Sequence, residues 1–227
     1  MDSSSRSHRD PPPSGLKLST RDLRGLPGLD GLRALSQSLA TLDAILCPEW
    51  EFRYFSFNNF WDEGEKLGLM RNGEGDDYLI SFNAEGAIIK GFVHNCPMAS
   101  GAPWSGILDG VPEVFTGFLE EPAFSRDATT FCVWRLAGED AWRVGEIDFP
   151  EVGDPDGSEQ LLRFLDGRPE TYKEWGDEYY GQPLDVQAID RIYRHVPLSP
   201  GLVARLNPEV DFRELADELD EIGYPLA

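Results

Sequence analysis

The chain has 227 residues, 41% hydrophobic and 11% aromatic, and its 41 acids against 20 bases give a formal net charge of −21. That apolar content at this length can bury a core of its own, which excludes both a disordered chain and a miniprotein that needs disulfide or metal staples. Cys47, Cys96 and Cys132 are odd in number and scattered, and no apolar run approaches the roughly 18 residues of a membrane span, so the expected compartment is a reducing cytoplasm.

Residues 1–28 are rich in Ser, Pro, Gly and Arg and contain the run Pro11-Pro12-Pro13. Nothing there is periodic, so a disordered tail is expected, followed by a single α+β domain over 29–227. The tail carries a net charge of +2, which leaves −23 on the rest of the chain. A body this acidic repels nucleic-acid phosphate and anionic membranes and attracts basic proteins. The alternative is that the acidity serves only solubility.

The first helix is expected over 29–46, where Leu29, Leu32, Leu35, Leu39, Leu42 and Leu46 recur at steps of three and four. Pro48 stops it. Residues 51–149 read as an antiparallel sheet. Phe52–Phe57 has the aromatic content of a strand, and further strands are expected near 67–71, 77–83 and 86–94. The last two flank Asn83-Ala84-Glu85-Gly86 and form a hairpin. A second hairpin is expected from 130–135 and 142–147 around Gly138-Glu139-Asp140, with a helix over 111–120 between the two pairs. From 156 onward the pattern is helical. Asp156 with Glu159, and Asp211 with Glu214, have capping-box spacing, and Gly223 with Pro225 beyond it marks the final stop.

Five groupings can carry chemistry. His94 and Cys96, with His195 as a third partner, offer metal ligands, although no common zinc spacing is present. Cys96 or Cys132 with His94 or His195 offers a nucleophile and base, with Cys132 better read as core. The loop Asn72-Gly73-Glu74-Gly75-Asp76-Asp77, and more weakly Asp154-Pro155-Asp156-Gly157, concentrates carboxylates as a calcium loop does but lacks the EF-hand pattern; a polar turn explains the first as well. Carboxylate pairs for glycoside or phosphoryl chemistry cannot be picked from 41 acids by spacing. There is no dinucleotide fingerprint and no P-loop, so no cofactor is expected. Finally, Phe60, Trp61 and Trp104 lie in expected loops, and Trp61 is followed by Asp62, Glu63 and Glu65. An aromatic among acids suits an anchor for a basic partner, with Asp62, Glu63, Asp76, Asp77 and Trp104 as neighbours; the alternative is that Trp61 folds back over the sheet edge.

The stretches Trp61-Asp62-Glu63-Gly64-Glu65, Met70-Arg71-Asn72-Gly73 through Asp77, Ile89–His94, Asp109–Phe115, Thr129–Trp134 and Glu221–Pro225 resemble a family of uncharacterised acidic α+β proteins from bacteria, over about 30–227. That family implies no catalytic residue. In size, acidity and layout the chain is also loosely similar to immunity proteins that neutralise bacterial toxins. The resulting expectation is a non-enzymatic domain that binds a basic protein partner, neither nucleic acid nor membrane. The alternatives are a small hydrolase using His94 with Cys96 or nearby carboxylates, and a soluble housekeeping or stress protein without a dedicated partner.

Overall fold

The structure is a computed structural model that describes residues 17–227. Its centre is a five-stranded antiparallel meander in the order β1-β2-β3-β4-β5: Phe55–Asp62, Glu65–Arg71, Asp77–Asn83, Gly86–Phe92 and Phe131–Leu136. Each turn has a local cause. Between β3 and β4 the Asn83 side chain accepts from the Glu85 and Gly86 N–H groups, holding the hairpin that residue type predicts. Strand alternation then sends successive side chains to opposite faces, and both faces are covered.

One face carries Phe55, Phe57, Met70, Tyr78, Ile80, Ile89 and Val133 against α1 (Leu29–Leu46) and the C-terminal helices. These are α3 (Ser158–Leu162), α4 (Pro169–Tyr179), α5 (Val186–Tyr193), α6 (Pro200–Val203) and α7 (Phe212–Ile222). The other face carries Leu67, Leu79, Ile88, Cys132 and Trp134 under the 93–130 segment, which includes the short α2 (Thr116–Glu120). The strands are therefore buried on both sides, which is why β3 and β4 read as nearly continuous apolar runs.

The leucine stripe of α1 is buried as expected, and so are Ser36, Gln37, Ser38, Thr41 and Asp43. A helix buried all round must satisfy its polar side chains internally. Ser36, Ser38 and Thr41 donate to carbonyls four residues back, and Gln37 donates to the carbonyls of Ile222 and Gly223. Asp43 is a junction. Its Oδ1 accepts from the hydroxyls of Tyr172 (2.7 Å) and Tyr180 (3.0 Å), and its Oδ2 from the backbone N–H groups of Tyr54 and Phe55 (2.8 Å each). Burial pushes its carboxyl up to about 6 despite these donors.

Four expectations are corrected. Within the described residues the expected tail is not free: Leu18 and Leu26 are buried, the Thr20 N–H donates to Ser158 Oγ, and Arg21 donates to the carbonyls of Val152 and Gly153. Residues 1–16 of that tail lie outside the described residues. The second hairpin is reduced to one bridge, Trp134 with Arg143, because 142–147 leaves the sheet after a single pair. The 111–120 helix divides into a 3-10 turn at Glu113–Phe115 and the short α2. Asp156 is not the N-cap of α3, which is Gly157 at φ 74°. Its carboxylate turns inward, accepting from Thr20 Oγ1 and the Ser158 N–H, while Asp154 takes the next two helix N–H groups. The second expected cap stands: Asp211 accepts from the Arg213 N–H.

Candidate functional site

The sheet's outer edge at β1 is where exposed aromatics and carboxylates meet. Pro48 ends α1, and the 3-10 turn Trp50–Phe52 that follows points Trp50 and Phe52 outward, each 55% exposed. Arg53 fixes this turn. It is buried and donates to the Cys47 and Pro48 carbonyls at the end of α1 (2.7 and 2.9 Å), and it pairs with Glu218 of α7. Arg71 lies 4.1 Å over the Trp50 ring.

Further along β1 the pairing with β2 slips between Asn58 and Asp62. The extra residues bulge, and a bulge re-aims the side chains that follow it. Phe60 becomes 65% exposed and Trp61 43% exposed, with Trp61 leaning on Phe124 at 5.6 Å between centroids. Trp61 thus does both things weighed from the sequence: one face rests on the protein and the rest meets solvent.

A groove of about 180 Å³ runs beside this edge, with Trp50, Trp61, Leu67 and Leu69 on one wall and Glu218 and Glu221 on the other. Glu221 accepts from Asn58 Nδ2 at 3.1 Å. Along α7, Glu214, Asp217, Glu218, Asp220 and Glu221 face a single base, Arg213. Asp62 at the end of β1 and Glu63 in the turn after it are exposed. The combination is a partly apolar cleft with a strongly negative rim, which suits a cationic ligand bearing apolar groups.

The remaining residues singled out in the sequence lie elsewhere. Asp76 is buried, not an exposed loop acid. Its carboxylate accepts from the His94 backbone N–H (2.9 Å), Asn72 Nδ2 (2.9 Å) and Gln160 Nε2 (3.3 Å), and it meets the His94 ring Nδ1 at 2.6 Å. Burial pushes its carboxyl up, but the bonds from His94 and Asn72 outweigh it and leave the group below the usual carboxylate range. The Asn72 side chain closes the loop by accepting from the Glu74 and Asp76 N–H groups. Of the oxygens expected for a calcium loop, those of Asp76 and the Asn72 side chain are thus already taken by protein donors. Asp77 is half-buried at the start of β3, where burial raises its carboxyl against the pull of Lys90. Trp104 is half-buried, its indole N–H donating to the Asp148 carbonyl at 3.3 Å. Neither Asp76, Asp77 nor Trp104 belongs to the groove.

The metal grouping is not assembled, and of the hydrolase grouping the structure brings His94 onto one carboxylate, that of Asp76. The His94 ring is held between Asp76 and its neighbour Asn95, at 2.6 Å from each. Cys96 is half-buried and its thiol is pushed up by burial. His195 sits in the helix layer, its Nε2 2.7 Å from the Ala34 carbonyl and its ring against Tyr224. Cys132 is core, with its thiol pushed up to about 12 by burial. Among the described residues no group of three or more His, Cys, Asp or Glu can hold a metal ion. No helix among them is long and apolar enough to cross a membrane.

Reading the sequence missed Trp50, Phe52, Glu218 and Glu221. The run Glu49-Trp50-Glu51-Phe52 has the same aromatic-among-acids character as Trp61-Asp62-Glu63 and was the available signal. No family model, curated protein or solved structure matches the chain.

Proposed function

We propose that this chain is a protein-binding module whose β1 edge and α7 form a docking surface for a basic partner, with neutralisation of a basic toxin or nuclease as its concrete form. One observation carries the reading: Trp50 and Trp61 are exposed in a groove lined also by Glu218 and Glu221, and Phe52 and Phe60 are exposed on the same stretch of chain. Exposed large aromatics in one place are unusual on a surface without a partner. The surrounding charge speeds encounter with a cationic protein, and the aromatics hold it after docking.

The test compares capture from native lysate by the wild-type chain with capture by a Trp61→Ala variant and by a quadruple Asp62→Asn, Glu63→Gln, Asp217→Asn, Glu221→Gln variant. The captured basic protein is then measured by surface plasmon resonance at low and high salt. The quadruple variant is expected to slow association about tenfold at low salt and to lose its difference from wild type at high salt. Trp61→Ala is expected to speed dissociation. Wild-type kinetics for both variants at both salt concentrations would overturn the reading.

A further inference from the structure

We propose that the cleft between residues 20–26 and the β5 end of the sheet is a second binding site, which takes a small organic monoanion: a carboxylate carried on an apolar body. The site is independent of the docking surface and lies at the opposite end of the strand order from β1. Its cavity of about 650 Å³ falls within the roughly 300–1,000 Å³ of small-molecule sites. The apolar part of the lining is Leu23, Leu26, Trp142 and Val144. Leu26 and Trp142 are buried and the other two half-buried, so these side chains form a wall fixed by the core rather than a mobile fringe. Thr20 and Trp142 already donate, to Asp156 and to the Pro27 carbonyl, so the lining's unused side-chain donors belong to arginines.

The charge of this lining runs against the rest of the molecule. In a chain of net charge −21, Arg21, Arg24 and Arg135 line the cavity with only two acids, Asp22 and Asp140, which leaves one positive charge. Arg24 is neutralised by Asp22, which accepts from its Nε at 2.9 Å and its Nη2 at 2.6 Å. Arg21 and Arg135 bond to carbonyls instead: Arg21 to those of Val152 and Gly153, and Arg135 through Nε to that of Glu139 at 2.8 Å. The Glu139 carboxylate is itself held by Arg143 at 2.7 Å. Half-buried Arg135 thus keeps both terminal nitrogens without an acceptor among the described residues. That fork matches a carboxylate bidentately. A bare inorganic anion would leave the wall of Leu23, Leu26 and Trp142 in water, and an apolar amine would meet the wrong charge.

The test titrates the isotope-labelled full chain with phenylacetate, phenylbutyrate and octanoate and follows the Trp142 indole N–H resonance. Phenylbutanamide serves as the uncharged control and inorganic phosphate as the bare anion. At least one carboxylate is expected to shift the resonance saturably by about 5 mM, a concentration that registers even millimolar affinity. The amide and phosphate should each bind about tenfold more weakly or worse, and Arg135→Gln should weaken the carboxylate by about tenfold. Ala141→Trp fills the cavity from an exposed lining position without removing an arginine, and it should abolish binding; this variant carries the test if Arg135→Gln does not fold. No saturable shift with any carboxylate, equal binding of the amide or of phosphate, or undiminished binding in either variant would overturn the proposal.

Discussion

Tyr172→Phe removes one hydroxyl and leaves the ring packed between Phe55 and Trp175, so it isolates a single bond to Asp43. Asp43 is fully buried, and its folded-state pKa of about 6 lies above the ordinary 3.8. The folded state therefore holds this proton more tightly than the unfolded chain does. The Asp43 contribution is fully favourable below about pH 4 and is lost as pH rises through 6, a change of about 3 kcal/mol at 1.36 kcal/mol per unit. Near pH 8 the carboxylate is ionised, and the lost bond is charge-assisted, worth about 1.5–3 kcal/mol. Near pH 5.5 it is mostly protonated, and the lost bond is closer to a neutral one at about 0.5–1.5 kcal/mol. The variant should thus be destabilised more at the higher pH, by roughly 1 kcal/mol, which corresponds to a further rise of about 0.7 unit in the Asp43 pKa. Urea unfolding of both proteins at the two pH values measures this, and the other carboxylates cancel in the difference. A destabilisation that is the same at both pH values, or below about 0.5 kcal/mol near pH 8, would refute the assignment of Asp43 as a hydrogen-bonded, buried carboxylate.

Three further outcomes are expected. Deleting the chain up to residue 28 exposes the surfaces under Leu18 and Leu26, at about 1.5–3 kcal/mol each, and urea unfolding should register a loss of several kcal/mol; a truncated protein as stable as the full chain would show that 17–28 contributes nothing. Lys90 is buried and donates to the Phe124 carbonyl, and burial holds its ammonium below its ordinary pKa despite Asp77. Its folded state binds the proton less tightly, so wild-type stability relative to Lys90→Met should rise as pH increases toward 10.5, and a gap constant with pH would contradict this. Gly91→Ala places a methyl 2.0 Å from the Phe131 ring, so thermal unfolding should show a loss of about 1–3 kcal/mol that Phe131→Leu partly restores.

The elements that the sequence made legible are those whose signal is local. The α1 leucine stripe, the Asn83–Gly86 turn and the Asp211 cap follow from spacing and residue type alone. The second hairpin misled because 142–147 has strand-like residues, yet only Trp134 and Arg143 pair before the chain leaves the sheet. Residues 17–28 look like linker, and their docking depends on Asp156 and Ser158, more than a hundred residues away. Of the candidate site, Trp61 with Asp62 and Glu63 was readable as an aromatic among acids. The opposite wall was not, because α7 reaches the β1 edge only through the tertiary fold, where Arg53 and Asn58 meet Glu218 and Glu221. Asp76 failed as a surface acid for the converse reason: its position in a polar loop hides the four protein donors that surround it.

The two edges of the sheet are unlike. On β5 the outward groups of Trp134 are taken by the backbone of Arg143, those of Leu136 by the backbone and side chain of Glu139, and Cys132 before them is fully buried. Among the described residues β1 has no such backbone partner on its outer edge, although Phe55 and Phe57 are buried there and Asp43 takes the Phe55 N–H. Polymerisation through sheet edges requires two open edges on every copy, so that each molecule can accept one neighbour and offer itself to another. With β5 closed, copies could join through β1 at most, and such an assembly would stop at a two-fold pair. The Arg143 bridge and the Glu139 turn therefore act as a terminator that keeps the β5 edge from becoming a template for fibres.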